Sequence, residues 1–467
     1  MDEPIATYLP DFSIQPHPYR GGDYRNITTR MLLSHVSGIA ADIISGLGSY
    51  GSHEPSFMND FLPRLVQMHM DNAELARMSY ANNGYTLLGI LVAHMAGHDD
   101  FFRGYESFVK ENIFAPAGMI STTYDVRYVS NVANPYTALG LPPAERIFAN
   151  PISTGGLYTN AHDMARFMHL FLNGGSLDDI TVLSEDSVRQ MTQVQEFDFS
   201  LNPMIQFGLG VYQLTTPNGF VSIGHNGGWA QFHSEMQFHL ESGIGVFVSV
   251  NSVTGARIVT ALAEEILMAA VYEKTGSLDI LEPLPPGVPT TMSREELERF
   301  TGFYTGIIGQ ISISDEGVLY AGNILGVPFP IEFTPYTDGS FGSIIGARFW
   351  FEEINGIMVL FQGDHRLVNI AERIDQFWPA DENFITRWVG EYVYIDDPHG
   401  AVITIAVDEN GYAVSFWGSP IVFPLVGVDN YTFFSSGTVR GYGGVIRFFE
   451  DEYGIWMEYA GARFLRK

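Results

Sequence analysis

Up to about residue 275, apolar residues recur at two different spacings along the chain. Segments with apolar residues three and four positions apart predict helices, and they span residues 61–70, 85–96, 161–172 and 258–272. Segments with an alternating or continuous apolar pattern predict strands, and they span residues 207–214, 221–225, 232–240 and 245–251. A mainly helical region followed by a strand meander and a closing helix is typical of an α+β domain.

A proline-rich segment, Leu281–Pro289, separates this region from a C-terminal region with a different pattern. Proline stiffens the chain and interrupts regular structure, so we interpret the segment as a linker. Beyond it, short alternating segments and glycine-rich turns predict small all-β units. The predicted organisation is a domain over residues 1–280, a linker over 281–292, and two all-β, barrel-like modules over 293–378 and 379–467.

The two predicted C-terminal modules begin with similar sequences. Ser293–Glu296 has the Ser-x-x-Glu pattern of a capped helix start and leads into Arg299–Tyr304. Asp381 is an equally good cap and begins the segment that leads into Arg387–Tyr392. We interpret this repeat as a duplication of one small β unit.

Composition limits the classes of protein and partner. The chain has 467 residues, a formal net charge of -29 and no cysteine. The charge argues against nucleic acid as a partner, and the lack of cysteine excludes disulfides, thiol catalysis and cysteine-bound zinc. No apolar run is long enough to predict a membrane span. We expect no metal or cofactor, because there is no glycine-rich phosphate loop and the pair His94 and His98 lacks the glutamate of a zinc-binding helix.

The most informative segment is Met78–Gly89, in which Tyr80 and Asn82 form a Tyr-x-Asn pair directly before an apolar helix pattern. Two side chains separated by one residue in an extended turn point to the same side, so both can face one cleft. Tyrosine and asparagine are also ordinary turn residues. The evidence that this pair is functional therefore comes from the helix pattern that follows it.

A second candidate segment is Gly224–Trp229, in the predicted strand meander. Alternate residues of a strand face the same side, and glycines let a substrate approach the backbone. We therefore predict that His225 faces a cleft. The residues predicted to bind substrate beside it are Asn226, Gly227 and Gly228. The N–H group of Gly228 is positioned in this prediction to supply half of an oxyanion hole.

Together these segments resemble the penicillin-recognising serine hydrolases, which include β-lactamases, penicillin-binding proteins, D-aminopeptidases and related esterases. The pair Tyr80-x-Asn82 resembles the second of the family's three catalytic motifs, and His225-x-Gly227 takes the place of the third. Longer segments that resemble the family occur in its order, at residues 27–39, 112–119 and 151–167. The resemblance covers about residues 1 to 275.

The resemblance implies a β-lactamase/transpeptidase-like domain and acyl-enzyme chemistry on a small peptide, amide or ester substrate. It implies that the Tyr80 oxygen moves protons and that Asn82 positions the acyl group. His225, with Gly227 and Gly228, is then expected on the opposite wall of the cleft. For a full-length member of the family, the resemblance favours a secreted or periplasmic location.

The family's first motif, Ser-x-x-Lys, is the expected source of the nucleophile and its base. The single match is Ser107–Lys110, which follows the second motif and is predicted to lie on a surface helix. Lys274–Gly276 spells a Lys-Thr-Gly motif, but Gly276 is predicted to end a helix there. A serine without an adjacent base is a poor nucleophile, and no lysine lies three residues after Ser34, Ser37 or Ser79.

Within the family, a Tyr-Leu-Pro segment such as Tyr8–Pro10 follows the helix that carries Ser-x-x-Lys, so we expect this chain to begin just past that helix. Two hypotheses then remain open. In the first, the chain is an N-terminally truncated form of an active hydrolase. In the second, it is a non-catalytic relative that binds cell-wall-like peptides or a protein partner. Under both hypotheses we expect little covalent activity from residues 1–467.

Overall fold

The computed structural model describes most of the chain. The described residues are 1–76, 78–126, 129, 131–138, 141–195, 205–216, 218–282, 284–304, 308–321, 330–343, 346–354, 356–363, 368–374, 386–395, 402–408, 411–416, 422–435 and 444–467. None of the helices in these ranges combines the length and the apolar character that crossing a bilayer requires.

The secondary structure follows the order expected from the sequence, with helices first, then a meander, then strands. The helices are α1 (Thr29–Leu33), α2 (Ser56–Asn59), α3 (Phe61–Leu65), α4 (Asn82–Met95), α5 (Phe101–Val109), α6 (Ala161–Leu172), α7 (Glu185–Thr192), α8 (Val259–Thr275) and α9 (Arg294–Glu298). The strands of the first 280 residues are β1 (Gly48–Tyr50), β2 (Ile147–Ala149), β3 (Ser176–Leu177), β4 (Ile180–Thr181), β5 (Ile205–Phe207), β6 (Tyr212–Thr215), β7 (Val221–Trp229), β8 (Phe232–His239) and β9 (Ile244–Val250).

Strands β5 to β9 form an antiparallel sheet in sequence order, with a helix on each face. Successive side chains of a strand point to opposite faces, and β8 shows this directly. Phe238 packs on Phe171 of α6, with 5.3 Å between the ring centroids. Glu235, of opposite parity, accepts a hydrogen bond from Thr260 of α8 at 2.7 Å. The apolar residues of β8 therefore face α6, and a buried carboxyl group faces α8.

Two of the predicted elements are interrupted well inside their predicted limits. The helix predicted over 61–70 ends at Leu65, because the main chain of Met68 and Met70 instead exchanges hydrogen bonds with Gln15. The strand predicted over 207–214 is two strands, β5 and β6, separated by a turn in which Gly210 has a φ of +89°. Tertiary hydrogen bonds in the first case and a glycine turn in the second interrupted patterns that looked continuous.

The C-terminal region contains two closed antiparallel barrels, as predicted. The first comprises β10 (Gly302–Tyr304), β11 (Gly309–Ile313), β12 (Leu319–Ala321), β13 (Ile331–Pro335), β14 (Phe341–Ser343), β15 (Arg348–Ile354), β16 (Ile357–Gln362) and β17 (Val368–Ile374). The second comprises β18 (Gly390–Tyr394), β19 (Val402–Asp408), β20 (Gly411–Phe416), β21 (Val422–Gly427), β22 (Thr432–Ser435), β23 (Val445–Asp451), β24 (Gly454–Tyr459) and β25 (Ala462–Arg466). Buried aliphatic and aromatic side chains pack inside each barrel.

The two barrels share structural details in addition to the repeat in their sequences. The Tyr304 hydroxyl donates to the carbonyl of Phe300 at 2.9 Å, and the Tyr392 hydroxyl donates to the carbonyl of Trp388 at 2.8 Å. The predicted capping box at Ser293 is present. The second predicted cap, Asp381, lies outside the described residues. Matching hydrogen bonds at matching positions support the interpretation of a duplicated unit.

The loop between α1 and α4 is held by close main-chain contacts and buried polar side chains. The N–H groups of Asp71 and Asn72 both donate to the carbonyl of Gly38, at 2.9 and 3.2 Å. The Asp71 carboxyl group, which is buried, accepts the N–H of Ala41 at 2.9 Å. Asn83 accepts the N–H of Ile43 at 3.0 Å. The segment around Gly38 and the segment around Asp71 and Asn72 therefore cross with little space between their backbones.

We expect Gly38→Ala to destabilise this crossing. Gly38 has a φ of +69°, and a Cβ atom there would lie 2.2 Å from the main-chain oxygen of Asn72. Gly97 is the matched control, since its φ is +82° but no atom lies within 4 Å of an added Cβ. Both alanines carry the left-handed penalty of about 1–2 kcal/mol, so Gly38→Ala should lower the free energy of unfolding by about 1–3 kcal/mol more. Urea denaturation followed by circular dichroism measures the difference, and equal losses would contradict the steric explanation.

A second prediction concerns Asp71. Burial raises the pKa of Asp71 from 3.8 to about 8. Above about pH 4 the unfolded carboxyl ionises while the folded one keeps its proton, so the free energy of unfolding falls as pH rises from about 4 to about 8. Asp71→Asn retains an oxygen for the Ala41 N–H and removes the ionisation. At about 1.4 kcal/mol per pH unit, the variant should gain at most about 4 kcal/mol over the wild type between pH 4 and pH 7. Parallel curves of unfolding free energy against pH for the two proteins would contradict a raised pKa of Asp71 in the folded protein.

Candidate active site

Tyr80 and His225, which are predicted from two distant segments to line one cleft, lie close together in the structure. Tyr80 is in the extended chain just before α4, and Asn82 is the first residue of that helix. The ring centroids of Tyr80 and His225 are 6.1 Å apart. Phe207 of β5 lies beside both rings, at 6.1 Å from Tyr80 and 6.4 Å from His225. The cleft thus joins the start of α4 to the sheet.

Strand β7 extends past the end of its neighbour β6. The pairing of β6 with β7 ends where Tyr212 lies opposite Gly224, whereas β7 continues to Trp229. Trp229 pairs with Phe232 across a two-residue turn, and such a closing pair exchanges its main-chain hydrogen bonds. Hydrogen-bonded and non-hydrogen-bonded positions alternate along an antiparallel pair. Trp229 is a hydrogen-bonded position, so the preceding residue, Gly228, is not, and its N–H points away from β8. It therefore faces an edge of β7 that β6 does not cover.

The His225 imidazole is neutral and carries its proton on Nδ1. Nδ1 lies 2.6 Å from the carbonyl oxygen of Asn226, and because a carbonyl only accepts, Nδ1 is the donor. Burial lowers the pKa of His225 below its usual value, against the opposing effect of this hydrogen bond. The Nε2 atom of a neutral ring with this tautomer has a lone pair and can accept a proton.

A buried glutamic acid network lies behind His225, and the sequence reasoning did not identify it. The ring of Tyr212 is 5.2 Å from that of His225. The Tyr212 hydroxyl donates to Glu235 at 3.2 Å, and Thr260 donates to the other carboxyl oxygen. Burial raises the pKa of Glu235 and that of Tyr212. In the sequence, Glu235 was one of several polar residues in its strand, so no pattern singled it out.

Asn82 is bonded to a residue that the sequence reasoning also missed. Its side-chain nitrogen donates to Asp42 Oδ1 at 2.9 Å. One of its two N–H groups is therefore occupied, so at most the other N–H group and the oxygen can contact a substrate. The role of Asn82 in positioning an acyl group stays a prediction.

The predicted substrate-binding residues lie along the overhanging part of β7. Asn226 and Gly228 are exposed, and Gly227 is half-buried. A Cβ at Gly227 would lie 2.5 Å from Ser234 Oγ, whereas one at Gly228 would lie 3.4 Å from His233. The close approach to β8 explains the need for glycine at 227 better than at 228.

The serine and lysine residues that were rejected from the sequence as catalytic make contacts typical of structural residues. Ser107 lies on α5, and Lys110, just after it, is exposed. Ser34 Oγ donates to the Arg30 carbonyl at 2.8 Å, as helix residues often do. Lys274 donates to the Ser242 carbonyl at 2.6 Å, and Gly276 ends α8 with a φ of +77°. Across the described ranges, no three His, Asp or Glu side chains cluster closely enough to hold a metal ion.

Comparison with known proteins identifies the family of this chain. A family model described as Beta-lactamase matches residues 1–270. Beta-lactamase-like protein 4 of Dictyostelium discoideum is 26% identical over 299 residues, which is 59% of this chain and 49% of that protein. Putative penicillin-binding protein PbpX of Bacillus subtilis (strain 168) is 25% identical over 184 residues, 37% of this chain and 40% of that protein. The chain thus spans about half or less of the length of these relatives.

Solved structures with a similar chain path have low sequence identity to this protein. SurE is 18% identical with a TM-score of 0.49, covering 80% of this chain and 81% of its own. D-amino acid amidase from Ochrobactrum anthropi SV3 is 22% identical with a TM-score of 0.46, covering 59% and 77%. Because the family model matches more than half of the 467 residues, this chain belongs to the β-lactamase-fold family of serine hydrolases.

Proposed function

We propose that the cleft between Tyr80 and β7 binds small peptides, amides or esters, and that residues 1–467 alone do not form an acyl-enzyme with them. One observation supports this most strongly. The rings of Tyr80 and His225 lie side by side, with 6.1 Å between their centroids, next to an edge of β7 that the described part of β6 leaves uncovered. Proton-transfer groups and an open main-chain edge are the parts that amide recognition requires.

The overhanging edge of β7 provides the binding surface. An extended ligand can add to an uncovered strand edge through main-chain hydrogen bonds. The N–H of Gly228 faces that edge and donates to the ligand carbonyl. The formal net charge of -29 attracts ligands with an ammonium group. An amino acid amide combines both features and is the simplest probe.

The chemistry of the cleft is limited by what lies near it. Neutral His225 can accept a proton and Tyr80 can relay one, but acyl transfer also needs an activated nucleophile. The hydroxyl of Ser34 is bonded to a helix carbonyl. The hydroxyl of Ser79, beside Tyr80, is buried with no base bonded to it in the described structure. Binding without covalent turnover is therefore the function that these residues support.

Covalent probes test the second half of the proposal. Residues 1–467 should show no stoichiometric labelling by a fluorescent penicillin or by a fluorophosphonate, because neither Ser34 nor Ser79 is bonded to a base in the described structure. In-gel fluorescence and intact mass measure the label, with Ser107→Ala as a control for reaction at the Ser-x-x-Lys match on α5. One label per chain that survives in Ser107→Ala would contradict the absence of a competent nucleophile.

A binding measurement tests the first half. D-phenylalanine amide and its L-enantiomer are titrated by calorimetry against wild type, Tyr80→Phe and the control Tyr453→Phe, which changes an exposed residue of the second barrel. Loss of one hydrogen bond, about 0.5–1.5 kcal/mol, should weaken binding to Tyr80→Phe by roughly two- to twelvefold. The control should bind as the wild type does. No binding of either enantiomer, or equal binding by all three proteins, would refute the proposed cleft.

A further inference from the structure

His35 makes hydrogen bonds on both sides of Tyr80. Its main-chain oxygen accepts the N–H of Ser79 at 2.7 Å, and its ring atom Nδ1 accepts the N–H of Ala81 at 3.1 Å. Its ring also lies against the Tyr80 ring, with 4.1 Å between the centroids and 31° between the planes. One residue therefore binds the N–H groups of both chain neighbours of Tyr80 and supports its side chain.

The backbone at His35 adopts a conformation that disfavours histidine. His35 follows the end of α1 with a φ of +59°, and the N–H of Val36 bonds to the carbonyl of Met31 at 2.9 Å. This is the left-handed position after a helix, which is most often glycine and sometimes asparagine. A residue that carries a Cβ there stores strain. The strain indicates that the side chain of His35 has a use that glycine cannot supply.

The His35 ring is in a protonation state that lets Nδ1 accept a hydrogen bond. Because Nδ1 accepts the Ala81 N–H, the ring proton is on Nε2. Burial lowers the pKa of His35 well below its usual value. The ring is buried among Tyr80, Tyr85 and Phe207. The bond to Ala81 is therefore maintained at neutral pH.

We propose that His35 is the positioning residue of Tyr80, which it holds against β7 through the N–H of Ala81 and through ring contact. This inference rests on the function proposed above for the identity of the ligand. The clamp itself is a property of the protein without ligand. It can therefore be tested separately from binding.

The test uses two substitutions that the left-handed backbone accepts. His35→Gly removes the ring and the acceptor while relieving the backbone strain, so the variant is expected to fold. His35→Asn keeps an acceptor, since Oδ1 of asparagine and Nδ1 of histidine are both bonded to Cγ, and asparagine tolerates this conformation. Asp179→Gly is the matched control, because Asp179 has a φ of +65° in an exposed turn far along the chain.

Hydrogen exchange of single amides reports the clamp without ligand. In His35→Gly, exchange at Ala81 should rise about five- to tenfold, as for the loss of one hydrogen bond. Exchange at Ser79, which bonds to the main chain of residue 35, should change little. His35→Asn should restore protection at Ala81, and Asp179→Gly should leave both amides unchanged. Wild-type exchange at Ala81 in His35→Gly would overturn the proposal.

A double-mutant comparison reports the effect through Tyr80. With D-phenylalanine amide as the probe, His35→Gly should weaken binding about as much as Tyr80→Phe does. The double variant should bind no more weakly than Tyr80→Phe, because residues that act as a unit are not additive. Additive losses, or unchanged affinity in His35→Gly, would refute positioning through Tyr80. If wild type does not bind the probe, the proposed function fails, while exchange at Ala81 still decides whether the clamp exists.

Discussion

The site depends on a difference in length between two neighbouring strands. Pairing between β6 and β7 ends at Tyr212 and Gly224, and β7 continues to Trp229 with an edge that β6 leaves uncovered. The chain before β6 turns away from this edge, since the N–H of Leu209 donates to the carbonyl of Met191. An uncovered edge inside a folded protein costs unsatisfied hydrogen bonds unless water or a ligand contacts it. The start of α4, with Tyr80, lies opposite this edge, so the overhang defines the cleft.

Burial shifts the pKa of the titratable groups around the cleft. It lowers the pKa of both His35 and His225 and raises that of Glu235. Both imidazoles are therefore held in the uncharged form, and each makes a hydrogen bond instead of an ion pair. A neutral imidazole can accept a proton, but nucleophilic catalysis also needs a hydroxyl bonded to such a base. The Ser79 hydroxyl, beside Tyr80, has no such bond in the described structure.

Local patterns in the sequence predicted those parts of the fold and site that local interactions determine. Helix α6 was predicted with its observed limits, and Tyr80 and Asn82 were placed correctly at the start of α4. The partners of these residues were missed because each comes from a distant segment. Asp42 and His35 lie 40 and 46 residues away from Asn82 and Ala81, and no periodicity connects such positions. The helix predicted over 61–70 failed for the same reason, because its competitor was the remote main chain of Gln15.

The second barrel contacts the loop that carries one of these missed partners. The Tyr394 hydroxyl donates to Ser45 Oγ at 2.9 Å, and the N–H of Ile44 donates to the carbonyl of Ala460 at 3.0 Å. Ile44 and Ser45 lie two and three residues after Asp42, whose carboxyl group accepts a hydrogen bond from Asn82. The packed interior of the barrel includes Ile44 at its edge and makes the barrel a rigid support. The orientation of the Asn82 amide therefore depends, through one short loop, on a barrel whose described residues lie outside the ring cluster of Tyr80 and His225.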